Sequence, residues 1–218
     1  MDYQYIKDEV YATAIEIYKS NLVMGTWGNV SQRINQELFV ITPSGMDYDS
    51  LSPEDMIIVD KRGEVVAGQY QPSIETRMHI EIYKNRLDVN GIVHVHSPYV
   101  TAFAVANQPI PVILEETAQV IGHPIEVAKY ALCGSQALAY EVAKCLANQE
   151  NAVLLANHGL VALGSTLSDA LRVCFIAEKT AMIAINAARL GKINSLSKKD
   201  ILQLHEEFKY YGQTKVGE

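Results

Sequence analysis

"GIVHVHSPYV", residues 91–100, sets two histidines two apart in an otherwise apolar run. Side chains alternate between the two faces of a β-strand. Val93 and Val95 therefore share one face, and His94 and His96 the other. A strand that needed only packing would carry Val or Ile at those positions. Two imidazoles side by side are either satisfied core groups or two arms of a chelate.

Outward from this strand, helical and extended patterns alternate. Residues 7–22 place Val10, Ala14, Ile15, Tyr18 and Leu22 at helical spacing. A Gly25–Gly28 loop leads into "NVSQRI", a strand, and "ELFVITPSG" is a second, stopped by Pro43 and Gly45. "DMIIVDKRGEVVAG" reads as two strands around a turn near Gly63, and "PSIETRMHIEIYKNR" as a helix with Ser73 as its N-cap. After residues 91–97, Pro98 opens a helix through about Ala106, and "IPVI" is short and extended. A helix over "GSQALAYEVAKCLAN" precedes two buried strands that flank a turn at Asn157–Gly159. A long helix, apolar on more than one side, follows, then a terminal helix over "SKKDILQLHEEFKYYGQ" with Ser197 as its cap. No repeat or linker breaks the pattern, so residues 1–218 read as one mixed α/β domain.

With 49% hydrophobic and 20% charged residues, the composition is that of a globular chain. A net charge of -7 argues against a nucleic-acid partner, whose footprint is basic. It does not exclude a small anion, because backbone N–H groups bind phosphate whatever the net charge. Cys133, Cys145 and Cys174 are far apart and form no CxxC, against a disulfide framework or thiolate zinc site. No signal peptide and no apolar run of membrane-spanning length is visible, so a cytoplasmic setting is expected.

His158, in "LLANHGLVAL", follows an apolar strand and precedes Gly159. If that strand lies beside residues 91–97, three neutral imidazoles with an open position make the pattern of a catalytic zinc or similar divalent site. Glu75 stands at the start of a helix. A carboxylate there answers the helix dipole, or serves as a metal ligand or general base. Three small-residue turns, "GTWGN", "TPSG" and "PSI", offer N–H groups and hydroxyls for a phosphate nest. Glu115 and Glu116 read as a solvated pair. His79, His123 and His205 have no partner spacing and read as structural or surface groups.

Taken together, "GTWGNVSQR", "FVITPSGMDY", "PSIETRMHIEIY", "GIVHVHSPYVTAFA", "ANHGLVALG" and "FKYYGQ" resemble, in order, the class II aldolase family that includes L-fuculose-1-phosphate aldolase and L-ribulose-5-phosphate 4-epimerase. The resemblance spans nearly the whole chain. It implies a single α/β domain with a central, mostly antiparallel sheet flanked by helices, assembled as a C4 homotetramer with sites between subunits. It implies one zinc, or another divalent ion, per subunit on His94, His96 and His158, with Glu75 as acid/base. Phosphate would fall to Thr26, Asn29, Ser44, Gly45 and Ser73, and Tyr211 would reach a neighbouring subunit's site. The implied reaction is cleavage of a ketose 1-phosphate to dihydroxyacetone phosphate and a short aldehyde such as L-lactaldehyde, through a metal-stabilised enediolate. Two positions depart from the family: Ile74 where a second serine is common, and Glu115 near a tyrosine that handles the aldehyde. Glu75 favours aldolase, because the epimerases carry Asp there. A methylthioribulose-phosphate dehydratase shares the triad, and a non-catalytic, adducin-like interaction domain loses it.

Overall fold

The computed structural model describes residues 3–148 and 150–208. The chain opens with α1 (Gln4–Lys19), β1 (Asn29–Arg33), β2 (Leu38–Ile41), β3 (Ile57–Asp60), β4 (Val65–Ala67), α2 (Thr76–Asn85) and β5 (Gly91–Val95). It continues with α3 (Pro98–Ala106), α4 (Glu115–Val120), β6 (Val127–Ala128), α5 (Gln136–Cys145), β7 (Ala152–Leu155), β8 (Gly159–Gly164), α6 (Leu167–Leu190) and α7 (Lys198–Phe208). The strands form one sheet in the order β4-β3-β2-β1-β5-β8-β7-β6. The β6–β7 pair is parallel and the other neighbouring pairs are antiparallel. The expected mostly antiparallel sheet between helices is what the chain forms.

The alternation in residues 91–95 sets the two layers. Val93 and Val95 pack with Val10, Ala14 and Ile17 of α1, Val100 and Ala104 of α3, and the α6 stripe from Leu167 to Ala181. Ile92 faces the other layer, with Met78, Ile80 and Ile82 of α2 and Leu138, Ala139 and Val142 of α5. His94, two residues from Ile92, thus turns toward the layer where α2 begins.

Several boundaries differ from the sequence reading. Helix α1 ends at Lys19, because Asn21 takes a left-handed φ of 57° and Leu22 N–H turns back to Ile17 O at 2.9 Å. Ser73 does not occupy the N-cap position of α2; Glu75 does. Ser73 Oγ instead accepts the Glu75 N–H at 3.2 Å, two residues before that cap position. Helix α6 buries one stripe, Leu167, Ala170, Val173, Cys174, Ala177, Thr180, Ala181 and Ala184, rather than several sides. Ser197 does cap α7, accepting the Asp200 N–H at 3.2 Å. Among the described residues, no helix is long and apolar enough to cross a membrane.

Candidate active site

Register brings the pieces together. In the β1–β5 pair Asn29 lies opposite His94, and in the β5–β8 pair Val95 lies opposite Leu160. The second pairing carries the Asn157–Gly159 turn to the end of β5. Gly159 allows the approach: a Cβ there would stand 2.3 Å from Val95 O and 3.0 Å from His96 Cδ2. Gly28 does the same on the other side. Its φ is +94°, and a Cβ would stand 2.9 Å from His94 O. Glu178 of α6 fixes the chain just past His96. Its carboxylate accepts from Ser97 Oγ at 2.7 Å and from the N–H groups of Tyr99 and Val100 at 3.0 and 2.9 Å.

The result is a four-residue cluster. One side-chain ligand atom each from Glu75, His94, His96 and His158 lies within 4.8 Å of the others. His94, 0% exposed, holds its Nδ1 2.9 Å from Leu160 O. That contact puts the ring proton on Nδ1 and leaves Nε2 with a lone pair. His94 Nε2 lies 2.8 Å from His96 Nε2, 3.0 Å from Glu75 Oε2, and His158 Nε2 lies 3.7 Å from Glu75 Oε1. Two imidazole nitrogens so close share either a proton or a cation. Nitrogen ligands on tetrahedral zinc stand ~3.3 Å apart, given Zn–N of about 2.0–2.1 Å. The donor set, its convergence and the tautomer of His94 all fit a divalent ion. Asn29 Nδ2 donates to Glu75 Oε2 at 2.9 Å, and the Cys133 thiol approaches Oε1 at 3.5 Å.

Electrostatics follow burial and charge. Burial opposes ionisation of Glu75, but His94, His158 and the Asn29 amide together hold its carboxyl well below the usual carboxylate range. Burial disfavours charge on His94, yet Glu75 beside it raises its pKa. Burial, reinforced by His94, pushes His96 down to about 3 and His158 down to about 4. Burial and Glu75 push the Cys133 thiol up to about 12, so it stays a neutral donor.

A stability prediction follows for the metal-free protein. His79, His96 and His158 all have depressed folded pKa values, so below ~6.5 the unfolded chain binds more protons than the folded one. Stability is therefore present above pH ~6.5 and declines as pH falls toward the folded values. His94, raised above its ordinary value, is protonated in both states below ~6.5 and adds no slope there. At ~1.4 kcal/mol per unit, the fully buried His79 alone contributes a loss of about 2 kcal/mol between pH 6.5 and 5. Urea midpoints at the two pH values measure it, and equal midpoints would refute it.

The sequence-predicted phosphate turns converge on the same place. Residues 26–29 enter β1 and residues 42–45 leave β2, and these strands pair antiparallel. Residues 72–73 join them: Pro43 and Pro72 form a β-bridge, Ser73 N–H donates to Thr42 O at 3.1 Å, and Ser44 N–H to Gln71 O at 2.9 Å. Thr26, Asn29, Ser44, Gly45 and Ser73 line a cavity of about 340 Å³ together with Glu75, His96 and His158. Ile74, 64% exposed, lines it too, as do Trp27 and Cys133. Glu115 is exposed at the start of α4 and is not among the cavity's lining residues. Tyr211 lies outside the described residues.

The model of the class II aldolase and adducin N-terminal domain matches residues 8–185. The chain belongs to that family. A 5-deoxy-D-ribulose 1-phosphate aldolase from Bacillus thuringiensis serovar kurstaki is 34% identical over 208 residues, covering 95% of this chain and 97% of the relative. An L-fuculose phosphate aldolase from Escherichia coli is 35% identical over 205 residues, covering 94% of each. Among solved structures, an L-fuculose 1-phosphate aldolase superposes with a TM-score of 0.91 at 33% identity, over 96% of this chain and 98% of that one.

Sequence reasoning missed two residues of this family member's site. Cys133 reaches Glu75 across 58 positions, and Glu178 reaches Ser97 across 81. No local pattern marks either.

Proposed function

We propose that the chain is a metal-dependent aldolase that reversibly cleaves a ketose 1-phosphate to dihydroxyacetone phosphate and a short aldehyde. One observation carries the reading: Glu75, His96 and His158 of the four-residue cluster line the same cavity as the phosphate-type turns. The relatives named for L-fuculose phosphate and 5-deoxy-D-ribulose 1-phosphate support the substrate class. The two sugars differ in the aldehyde released, so a panel of aldehydes offered with dihydroxyacetone phosphate tests the reading. Condensation with L-lactaldehyde or acetaldehyde is expected, and no condensation with any short aldehyde would defeat it.

His94, His96 and His158 would hold the ion, with Glu75 beside them. A divalent cation, zinc by preference for imidazole, would supply Lewis acidity for the enediolate's negative charge. Glu75, ionised at neutral pH, would take the proton from the carbon of dihydroxyacetone phosphate that becomes nucleophilic, and return it in cleavage. Asn29 orients its carboxylate. The phosphate, held by the turns, would fix the substrate far from the reacting bond, where binding energy serves orientation. Ser44→Ala is accordingly expected to raise KM for the phosphorylated ketose about tenfold, roughly one charged hydrogen bond, and to leave the unphosphorylated sugar unchanged. Equal effects on both sugars would reduce Ser44 to a structural role.

The other readings on this scaffold have less support. The histidine set argues against a pure interaction domain, and Glu75 against an epimerase. A homotetramer with shared sites, Tyr211 reaching a neighbour, belongs to the proposal. Tyr99 and Val105 on α3, and Phe175 and Met182 on α6, leave apolar surface exposed that a neighbouring subunit would cover. Light scattering at assay concentration tests it, and a monomer would contradict it. A cytoplasmic setting belongs to the same reading and keeps the Cys133 thiol reduced.

A further inference from the structure

Glu75 stands at the N-cap of α2, and a polar seam joins that helix to β1. Its apolar residues Met78, Ile80 and Ile82 pack among Phe39 and Ile41 of β2 and Ile92 of β5. Glu75, His79 and Tyr83 recur at intervals of four, which places them on one helix face. Each bonds to β1. Asn29 Nδ2 donates to Glu75 Oε2 at 2.9 Å. Ser31 Oγ lies 2.6 Å from His79 Nδ1 and 2.9 Å from Tyr83 OH. Asn29 and Ser31, two apart on a strand, share a face. Their spacing of ~6.6 Å matches the ~6.0 Å rise over four helical residues. The rungs therefore bond together in one register of helix on strand.

Packing does not explain the imidazole. His79 is 1% exposed, and burial pushes its pKa down to about 3, so it stays neutral. Its Nε2 is buried with no hydrogen-bond partner among the described residues. Leaving a buried polar atom unpaired is unfavourable, and an apolar side chain would fill the space without that cost. What His79 supplies is the directed Nδ1 contact to Ser31. Apolar contacts are non-directional and tolerate small slides, whereas a hydrogen bond does not.

We propose that His79, acting through Ser31, is a positioning residue for Glu75: the bond fixes α2 along β1 and sets where the carboxylate stands against His94 and His158. The proposal rests on the reading of Glu75 as the acid/base. Proton transfer is steep in geometry, and a displacement of about 1 Å costs ~10²-fold in rate. A slide of a fraction of that is expected to cost about tenfold.

The test compares metal-loaded His79→Leu, His79→Asn, Ser31→Ala and Glu75→Gln proteins with wild type. The Asn amide reaches the place of Nδ1 and keeps the bond to Ser31. Three quantities are read: solvent hydrogen exchange into dihydroxyacetone phosphate without aldehyde, KM for the phosphorylated ketose, and bound metal. His79→Leu and Ser31→Ala are expected to slow exchange about tenfold, with metal retained and KM within about twofold. His79→Asn is expected to recover most of the rate. If Glu75→Gln exchanges normally, the acid/base reading is wrong and this inference falls with it. If Glu75→Gln loses exchange while folded His79→Leu keeps it, the positioning role alone is overturned. Should His79→Leu not fold, Ser31→Ala at the wild-type rate, or His79→Asn without recovery, overturns it equally.

Discussion

Glu75→Gln is expected to slow solvent hydrogen exchange into dihydroxyacetone phosphate by ~10²–10⁴-fold, the usual contribution of a positioned acid/base. The competing account is a carboxylate that answers the dipole of α2. That role contributes only ~0.3–1 kcal/mol, and the amide would then leave the rate nearly intact. The geometry favours the larger effect. Glu75 occupies the N-cap position of α2, yet its side chain makes no capping hydrogen bond. Its oxygens face His94, His158 and the Asn29 amide instead. Exchange without aldehyde isolates proton movement from carbon–carbon bond making. Metal content must be measured beside it, because Glu75 belongs to the cluster. A folded, metal-loaded variant that exchanges normally would remove Glu75 from the chemistry.

His94→Ala is expected to abolish stoichiometric metal binding and, with it, aldol cleavage. His94 is the buried member of the triad, and Leu160 O holds its tautomer. Loss of residues that merely orient a ligand typically costs 10–100-fold in affinity. Loss of the ligand itself should exceed ~100-fold. His123→Ala is the control. His123 is half-buried, its Nδ1 lies against Pro124 O, its Nε2 accepts the Asn151 N–H at 3.3 Å, and it stands outside the cluster. Elemental analysis of untagged protein reads both. Equal metal in the two variants would mean that His94 is a core group and not a ligand.

Much of this site is legible in residues 91–100 because a strand has a period of two. Val93 and Val95 go to one layer, and His94 turns to the other, as alternation requires. The phosphate-type turns were recognisable one by one from Gly, Ser and Thr. Their convergence is a matter of pairing, since β1 and β2 place residues 26–29 and 42–45 at one end of the sheet. Ser73 shows the limit of local rules. A Ser that opens the helical pattern of "SIETRMHIEIYKNR" reads as its cap, but the helix begins only at Thr76 and Glu75 occupies the cap position. Helix α4 and strand β6, at six and two residues, are too short for periodicity to register. The Cys133 and Glu178 contacts join segments far apart in sequence, and so does the Ser31–His79 rung. Such contacts exist only once the layers are packed.

Whether the Glu75 and histidine cluster works as a metal-dependent aldolase site is decided by release of dihydroxyacetone phosphate from L-fuculose 1-phosphate and from 5-deoxy-D-ribulose 1-phosphate, before and after chelation. Release from at least one of them is expected, with loss of it on removal of the ion and recovery with about one equivalent of zinc per chain. Turnover that survives complete chelation, or no release from either sugar by the zinc-loaded protein, would contradict that role.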